Sequence, residues 1–275
     1  MSQVLTRRLL GCVVAAVVIA VLSQSVHAHT LWIQSSRYRV KKGLSKPMLL
    51  GWGHYLPVDD AISGNKLRYI KVFDPQGRSR EIEIKKEKSL HSYLIKYNQA
   101  GTYCLAAETN PGYYTVYQDK VDKIHHVTKP KNELAGAKNI TLSVLASQST
   151  KAYVVCQESS EQTPGAVGLQ LELIPLQDPT KVNPGDDFQL EVLFKSKRFE
   201  GKGKWAATYN GYFTAAGEYF YQETEVEGGR FIVPITRPGI WFICFTIEKK
   251  ASGEEALKCD NLRYKSTLVF QVWDN

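Results

Sequence analysis

The chain has 275 residues, a formal charge of +8 at pH 7 with histidine neutral, 43% hydrophobic residues and 23% charged residues. That length and apolar content suffice for one large or two ordinary domains with a buried core, which excludes a disordered tail or a scaffold held by disulfides alone. The positive charge is spread over brief runs (Lys41-Lys42, Lys85-Lys86-Glu87-Lys88, Lys249-Lys250), which favours an anionic surface weakly and excludes a nucleic-acid binder.

The first segment reads as an export signal. Arg7 and Arg8 precede an apolar core from Leu9 to Leu22, and Ser23 to Ala28 follows with short side chains before the Ala28–His29 bond. The core is too short to span a bilayer comfortably. Cleavage after Ala28 would place residues 29–275 in the periplasm, with at most peripheral membrane contact, and make His29 the terminal residue. Beyond it, nearly every periodic segment reads as a strand. In chain order these are Trp32–Val40, Lys46–Trp52, Leu67–Phe73, Arg80–Lys85, Ser92–Tyr97, Thr102–Ala107, Tyr113–Tyr117, Ile140–Ala146 and Lys151–Cys156. The polar stretch Glu158–Gly165 carries the proline and glycine of a domain boundary. Strands resume at Leu169–Ile174, Phe188–Phe194, Trp205–Tyr209, Glu218–Val226, Arg230–Ile235, Ile240–Glu248 and Tyr264–Trp273. No stretch has a helical period of ordinary length. The expected fold is therefore all-β: two β-sandwich domains, immunoglobulin-like or transthyretin-like, at 29–157 and 167–275, joined by a linker at 158–166.

Once Cys12 leaves with the signal, Cys104, Cys156, Cys244 and Cys259 remain, an even number in an oxidising compartment. Disulfides are expected among them. Three pairings exist, and Cys104–Cys156 with Cys244–Cys259 is the local one. Their wide spacing, without a CxxC pair, argues against a structural zinc or redox site.

Five histidines follow the signal. A terminal His29 would offer its α-amine and Nδ1 together as a chelate. His54 lies in Gly51-Trp52-Gly53-His54-Tyr55-Leu56-Pro57-Val58-Asp59-Asp60, where two glycines permit unusual backbone geometry and two carboxylates follow a proline. Imidazole donors suit nickel, cobalt, copper or zinc. A metal site would thus use His29 and His54, with His125, His126, Asp59 or Asp60 as a further ligand. The competing reading of His54 is a hydrogen-bonded residue that fixes its turn. Adjacent strand residues face opposite sides, so at most one of His125 and His126 would join a single site. His91 reads as a surface residue of a modest strand. Aromatic residues at Tyr113–Tyr117 and Trp205–Tyr221 read as inter-sheet packing, or as a groove for a glycan or peptide. There is no GxSxG elbow, HExxH motif or Walker loop, which favours binding over catalysis. A copper-dependent oxidative enzyme with a histidine brace is the alternative that the same ligands allow.

Several segments together resemble the bacterial periplasmic DUF4198 proteins, some of which are described as periplasmic components of cobalt or nickel transport. They are Ala28-His29-Thr30-Leu31-Trp32-Ile33, Gly53-His54-Tyr55-Leu56-Pro57-Val58-Asp59, Tyr113 to Asn132, Leu173 to Pro179, Pro184-Gly185-Asp186, Arg237 to Trp241 and Tyr264 to Leu268. The resemblance implies an exported all-β protein that binds nickel or cobalt and delivers it to a membrane permease, with His29 and His54 as ligands. The chain departs from the family pattern at Lys197-Arg198-Phe199-Glu200-Gly201, away from the metal segments.

Overall fold

The structure, a computed structural model, describes residues 29–212 and 218–274; the export segment 1–28 expected from the sequence lies outside the described residues. The first half of the chain supplies β1 (Thr30–Ser35), β2 (Arg39–Val40), β3 (Ser45–Gly53), β4 (Ile62–Ser63), β5 (Leu67–Phe73) and β6 (Ser79–Glu81). It continues with β7 (Lys88–Ser89), β8 (Ser92–Lys96), β9 (Gly101–Thr109), β10 (Gly112–Gln118), β11 (Ile124–Val127) and β12 (Asn139–Cys156). The second half supplies β13 (Leu171–Pro175), β14 (Asp187–Phe194), β15 (Lys197–Arg198), β16 (Lys202–Tyr209), β17 (Tyr221–Glu227), β18 (Arg230–Pro234), β19 (Gly239–Lys250) and β20 (Asn261–Val272). Among the described residues the only α-helix is a single turn, Glu255–Lys258, and no helix is long and apolar enough to cross a membrane.

An eleven-stranded sheet forms the middle layer, with the order β17-β16-β19-β20-β12-β9-β5-β6 along its main path. It runs through both halves of the chain, because β12 lies parallel to β20, from Val144 opposite Asn261 to Ala152 opposite Val269. Strand neighbours point to opposite faces, and the central strands of this sheet, such as β9 and β19, are covered on both. On β19, Phe242 and Cys244 pack with residues of the three-stranded sheet β1-β3-β8. Trp241, Ile243 and Phe245 pack instead with residues of β13, β14 and β18. On β20, Val269 joins the first core and Leu268 and Phe270 the second. The result is a predominantly β protein of stacked sheets with two sandwich-like cores.

Two-sided burial explains the sequence pattern. β9 is buried at every position and shows no alternation. β8, β14 and β18, in the outer sheets, keep one face in solvent and alternate. The Arg80–Lys85 segment pairs only over Ser79–Glu81, although Ile82 and Ile84 still pack against the first core.

The expected disulfides do not form: Cys104, Cys156, Cys244 and Cys259 are all free and buried. Strand parity separates the first pair, since Cys104 faces the second core and Cys156 the first, with the sheet between them. Cys244 faces the first core from β19, whereas Cys259 follows the helical turn, its thiol 3.6 Å from the Glu255 carbonyl. Burial raises the pKa of all four thiols, that of Cys104 to about 12. They therefore behave as small apolar groups rather than reactive thiolates.

The two segments expected at Ile140–Ala146 and Lys151–Cys156 are one continuous strand, β12. The polar run between them is a set of ties to the outer layers. Gln148 and Thr150 bond to the backbone of β1 and its preceding residue on one face. Ser147, Ser149 and Lys151 bond to Gln170, the Leu171 carbonyl and Glu172 on the other.

Candidate metal centre

β1 and β3 are antiparallel with Thr30 opposite Gly53. One step beyond that pair, His29 and His54 face each other across the strand ends, with ring centroids 4.8 Å apart and the rings edge-on. Trp52 stands edge-on to His29, its ring centroid 5.5 Å away. The His29 backbone is fixed by Gln148, whose Nε2 donates to the His29 carbonyl at 2.7 Å while its Oε1 accepts from the Leu31 amide at 2.8 Å. Replacing Gln148 with leucine breaks both bonds and is expected to lower stability by about 1–3 kcal/mol. Thermal unfolding will check this, with a lower Tm expected for the variant.

The His54 turn is set by close approach. Asp59 Oδ2 accepts the His54 amide at 2.6 Å. Gly53 has φ +142°, and a Cβ there would lie 2.2 Å from that carboxylate. A Cβ on Gly51 would meet the Trp32 indole at 1.9 Å, and the indole N–H donates to the Pro57 carbonyl at 3.2 Å. Asp59 is thus committed to the turn. Asp60 donates its amide to the Trp52 carbonyl and holds a carboxylate oxygen 3.9 Å from His29 Nδ1, with another 3.7 Å from Lys88 Nζ. The Ala61 amide, with help from Lys88 and His29, outweighs partial desolvation and holds the Asp60 pKa below its ordinary value. Asp60 is therefore an anion beside the imidazole at neutral pH. At 3.9 Å this is a charge contact, longer than a hydrogen bond.

The other histidines separate as strand parity requires. On β11, His126 lines the same open cleft as His29, His54 and Trp52, and its Nδ1 meets the Tyr114 hydroxyl at 2.7 Å. His125 points elsewhere, bonding Asp119 at 2.7 Å and stacking on Tyr117. The Asp119 pKa is lowered, chiefly by that bond. His91 differs from the surface reading: it is 2% exposed, with Nδ1 on the Tyr93 hydroxyl and Nε2 on the carbonyls of Ile62 and Glu87. Among the described residues, no three His, Cys, Asp or Glu side chains are grouped so as to hold an ion by themselves. The side chains brought together here are a histidine pair, His29 and His54.

Gln148 and Lys66, whose Nζ lies 5.2 Å from the Trp52 ring centroid, belong to this neighbourhood and were not singled out by sequence. The polar break in β12 was the only signal of Gln148. Of the two aromatic segments, Tyr113 and Tyr114 line the cleft, whereas Trp205 stacks on Phe231 at the second core.

Residues 26–249 match the family described as a domain of unknown function, DUF4198, and the chain belongs to that family. No curated protein matches it. Solved structures similar to it include a DUF4785 family protein from Legionella pneumophila, at 8% identity and TM-score 0.23, over 78% of this chain and 50% of that one. Escherichia coli alpha-2-macroglobulin matches at 12% identity and TM-score 0.22, over 87% of this chain and 23% of that one. The two tandem V-type regions of a v-region-containing chitin binding protein match at 10% identity and TM-score 0.21, over 88% of this chain and all of the other. The chain thus spans half or less of the first two.

Proposed function

We propose that this DUF4198 protein is a periplasmic, non-catalytic carrier that captures nickel, cobalt or copper at His29 and His54 and releases it to a membrane permease. The observation that carries this reading is the cross-strand pairing of the two imidazoles at a ring separation of 4.8 Å. Imidazole nitrogens suit these borderline ions better than they suit magnesium or calcium. Export with cleavage after Ala28 would add the His29 α-amine, which closes a chelate with Nδ1 and gives three nitrogen donors. The Asp60 anion, 3.9 Å from His29 Nδ1, favours a cation there. A site with only two side-chain donors leaves positions for water and for handover to a receiving protein. We assign the two cores to immunoglobulin-like or transthyretin-like sandwiches.

A second reading is metal-independent capture of a glycan or peptide, favoured by Trp52, Tyr113 and Tyr114 along the same cleft. Metal titration of the natively processed protein, with its first residue verified by mass spectrometry, separates the two. His54→Ala and a form with one residue added before His29 should each bind about 100-fold more weakly or worse, since even outer partners of metal ligands are worth 10–100-fold. Equal binding in all three forms would reject the chelate, and no binding in any would leave the aromatic cleft. Oxygen-dependent turnover of the copper-loaded protein would replace carriage by oxidative chemistry.

A further inference from the structure

An open groove beside the second core is lined by Lys195, Lys197, Arg198, Lys202 and Lys249, and its acids are Glu200 and Glu248. All five cations are exposed, whereas Phe194 and Phe199 between them are half-buried and buried. The Lys195 and Lys249 ammonium groups lie 5.5 Å and 4.7 Å from the centroid of the Phe194 ring. In the β14–β15 register Lys197 stands opposite Phe194 and Arg198 opposite Leu193. Three segments of the chain thus bring positive charge to one place. The neighbouring carboxylates are engaged with arginines: Glu191 with Arg230 at 2.9 Å and Arg198 at 3.6 Å, and Glu248 with Arg263 at 2.9 Å. Among the described residues no ion pair reaches the four lysines of the groove, so solvent and salt alone screen their repulsion.

The hairpin turn points the same way. Lys195 and Ser196 join β14 to β15 with φ +52° and +62°. A two-residue turn of this kind favours asparagine, aspartate or glycine, because other side chains are disfavoured in the left-handed region. Aspartate at 195 would suit the backbone and cancel a charge, and lysine does neither. The layout of the groove selects its partner. The cations spread over an open surface instead of converging on one point, which fits an array of phosphates better than a single small anion. Clusters of four to eight Lys or Arg are drawn to anionic headgroups, each worth about fivefold in affinity. We propose that this groove docks the protein on an anionic lipid surface, with the five cations on the headgroup phosphates. With its phenylalanines below the cations, the contact is electrostatic and releases in salt. Lys249 has the parity of Phe245 and Ile247, which face the second core, whereas Gln148 holds His29 from the other face of the middle sheet. Docking there leaves the histidine cleft uncovered and does not depend on metal binding.

The test is co-sedimentation of the exported chain with vesicles of equal parts phosphatidylglycerol and phosphatidylcholine, and with phosphatidylcholine alone. The protein should sediment with the mixed vesicles only and be released as salt is raised. Lys195→Glu combined with Lys197→Glu should weaken binding at least about 100-fold. Lys85→Glu combined with Lys86→Glu makes the same charge change in an exposed segment beside the first core, and should bind as wild type does. Lys195→Asn separates charge from fold: asparagine suits the turn, so the Tm should hold or rise while vesicle affinity falls about fivefold. No sedimentation with the mixed vesicles, wild-type binding by the Lys195/Lys197 variant, or an equal loss in the Lys85/Lys86 variant would overturn the proposal. Retention on dextran sulfate by a protein that ignores both vesicles would overturn the membrane assignment and leave a soluble polyanion as the partner.

Discussion

Glu172→Gln is expected to lower folding stability by about 3–5 kcal/mol, because it leaves a buried ammonium without its counter-charge. Lys151 and Glu172 are 2.9 Å apart with side-chain exposures of 1% and 2%. Glu172 also accepts the amides of Val167, Gly168 and Leu169, and Lys151 donates to the Gly165 carbonyl. The pair thus pins the segment joining the two halves onto the middle sheet. Burial by itself would lower the Lys151 pKa, but Tyr153, Glu172 and Cys104 outweigh it and the net shift is upward. A raised folded-state value means that the stabilisation is complete below the ordinary lysine range and is lost only as pH rises through the folded value. The pair therefore adds no pH dependence near neutrality. Urea unfolding will measure the cost. The double variant with Lys151→Met should recover part of it, and a loss below about 1 kcal/mol for Glu172→Gln would mean that the segment is held by other contacts.

The strands were legible wherever one face meets solvent. Phe188, Leu190, Val192 and Phe194 alternate because β14 lies in an outer sheet. β9 and β19 were legible as strands from their apolar and aromatic content, but their lack of alternation hid its cause, which is a core on each face. A sequence gives no direct sign that β12 pairs with β20 more than a hundred residues away. The disulfides failed for a related reason: an even cysteine count says nothing about which face each thiol occupies, and Cys104 and Cys156 have opposite parity on paired strands. The histidine pair was legible as two residue types in two motifs. Their meeting depends on the β1–β3 register, and one residue of slip would turn the side chains of one strand to the other face.

On the proposed carrier function, Gly53→Ala is expected to damage stability and metal capture together, which would tie the turn to the site. A side chain at φ +142° is strained, which costs about 1–3 kcal/mol. Its Cβ would also lie 2.2 Å from the Asp59 carboxylate, and displacing that group adds about 1–3 kcal/mol. Moving Asp59 breaks its bond to the His54 amide and so shifts the imidazole relative to His29. Gly43→Ala is the matched control: Gly43 has φ +83°, and a Cβ there would meet nothing within 4 Å, so that variant should show the backbone cost alone. Thermal unfolding and metal titration of both variants decide the matter. Gly53→Ala should unfold more easily than Gly43→Ala and bind metal at least about tenfold more weakly than wild type, by the measure of a displaced supporting contact. Wild-type metal affinity in Gly53→Ala would mean that the Asp59 bond does not set the position of His54, and the site would then rest on the β1–β3 register alone.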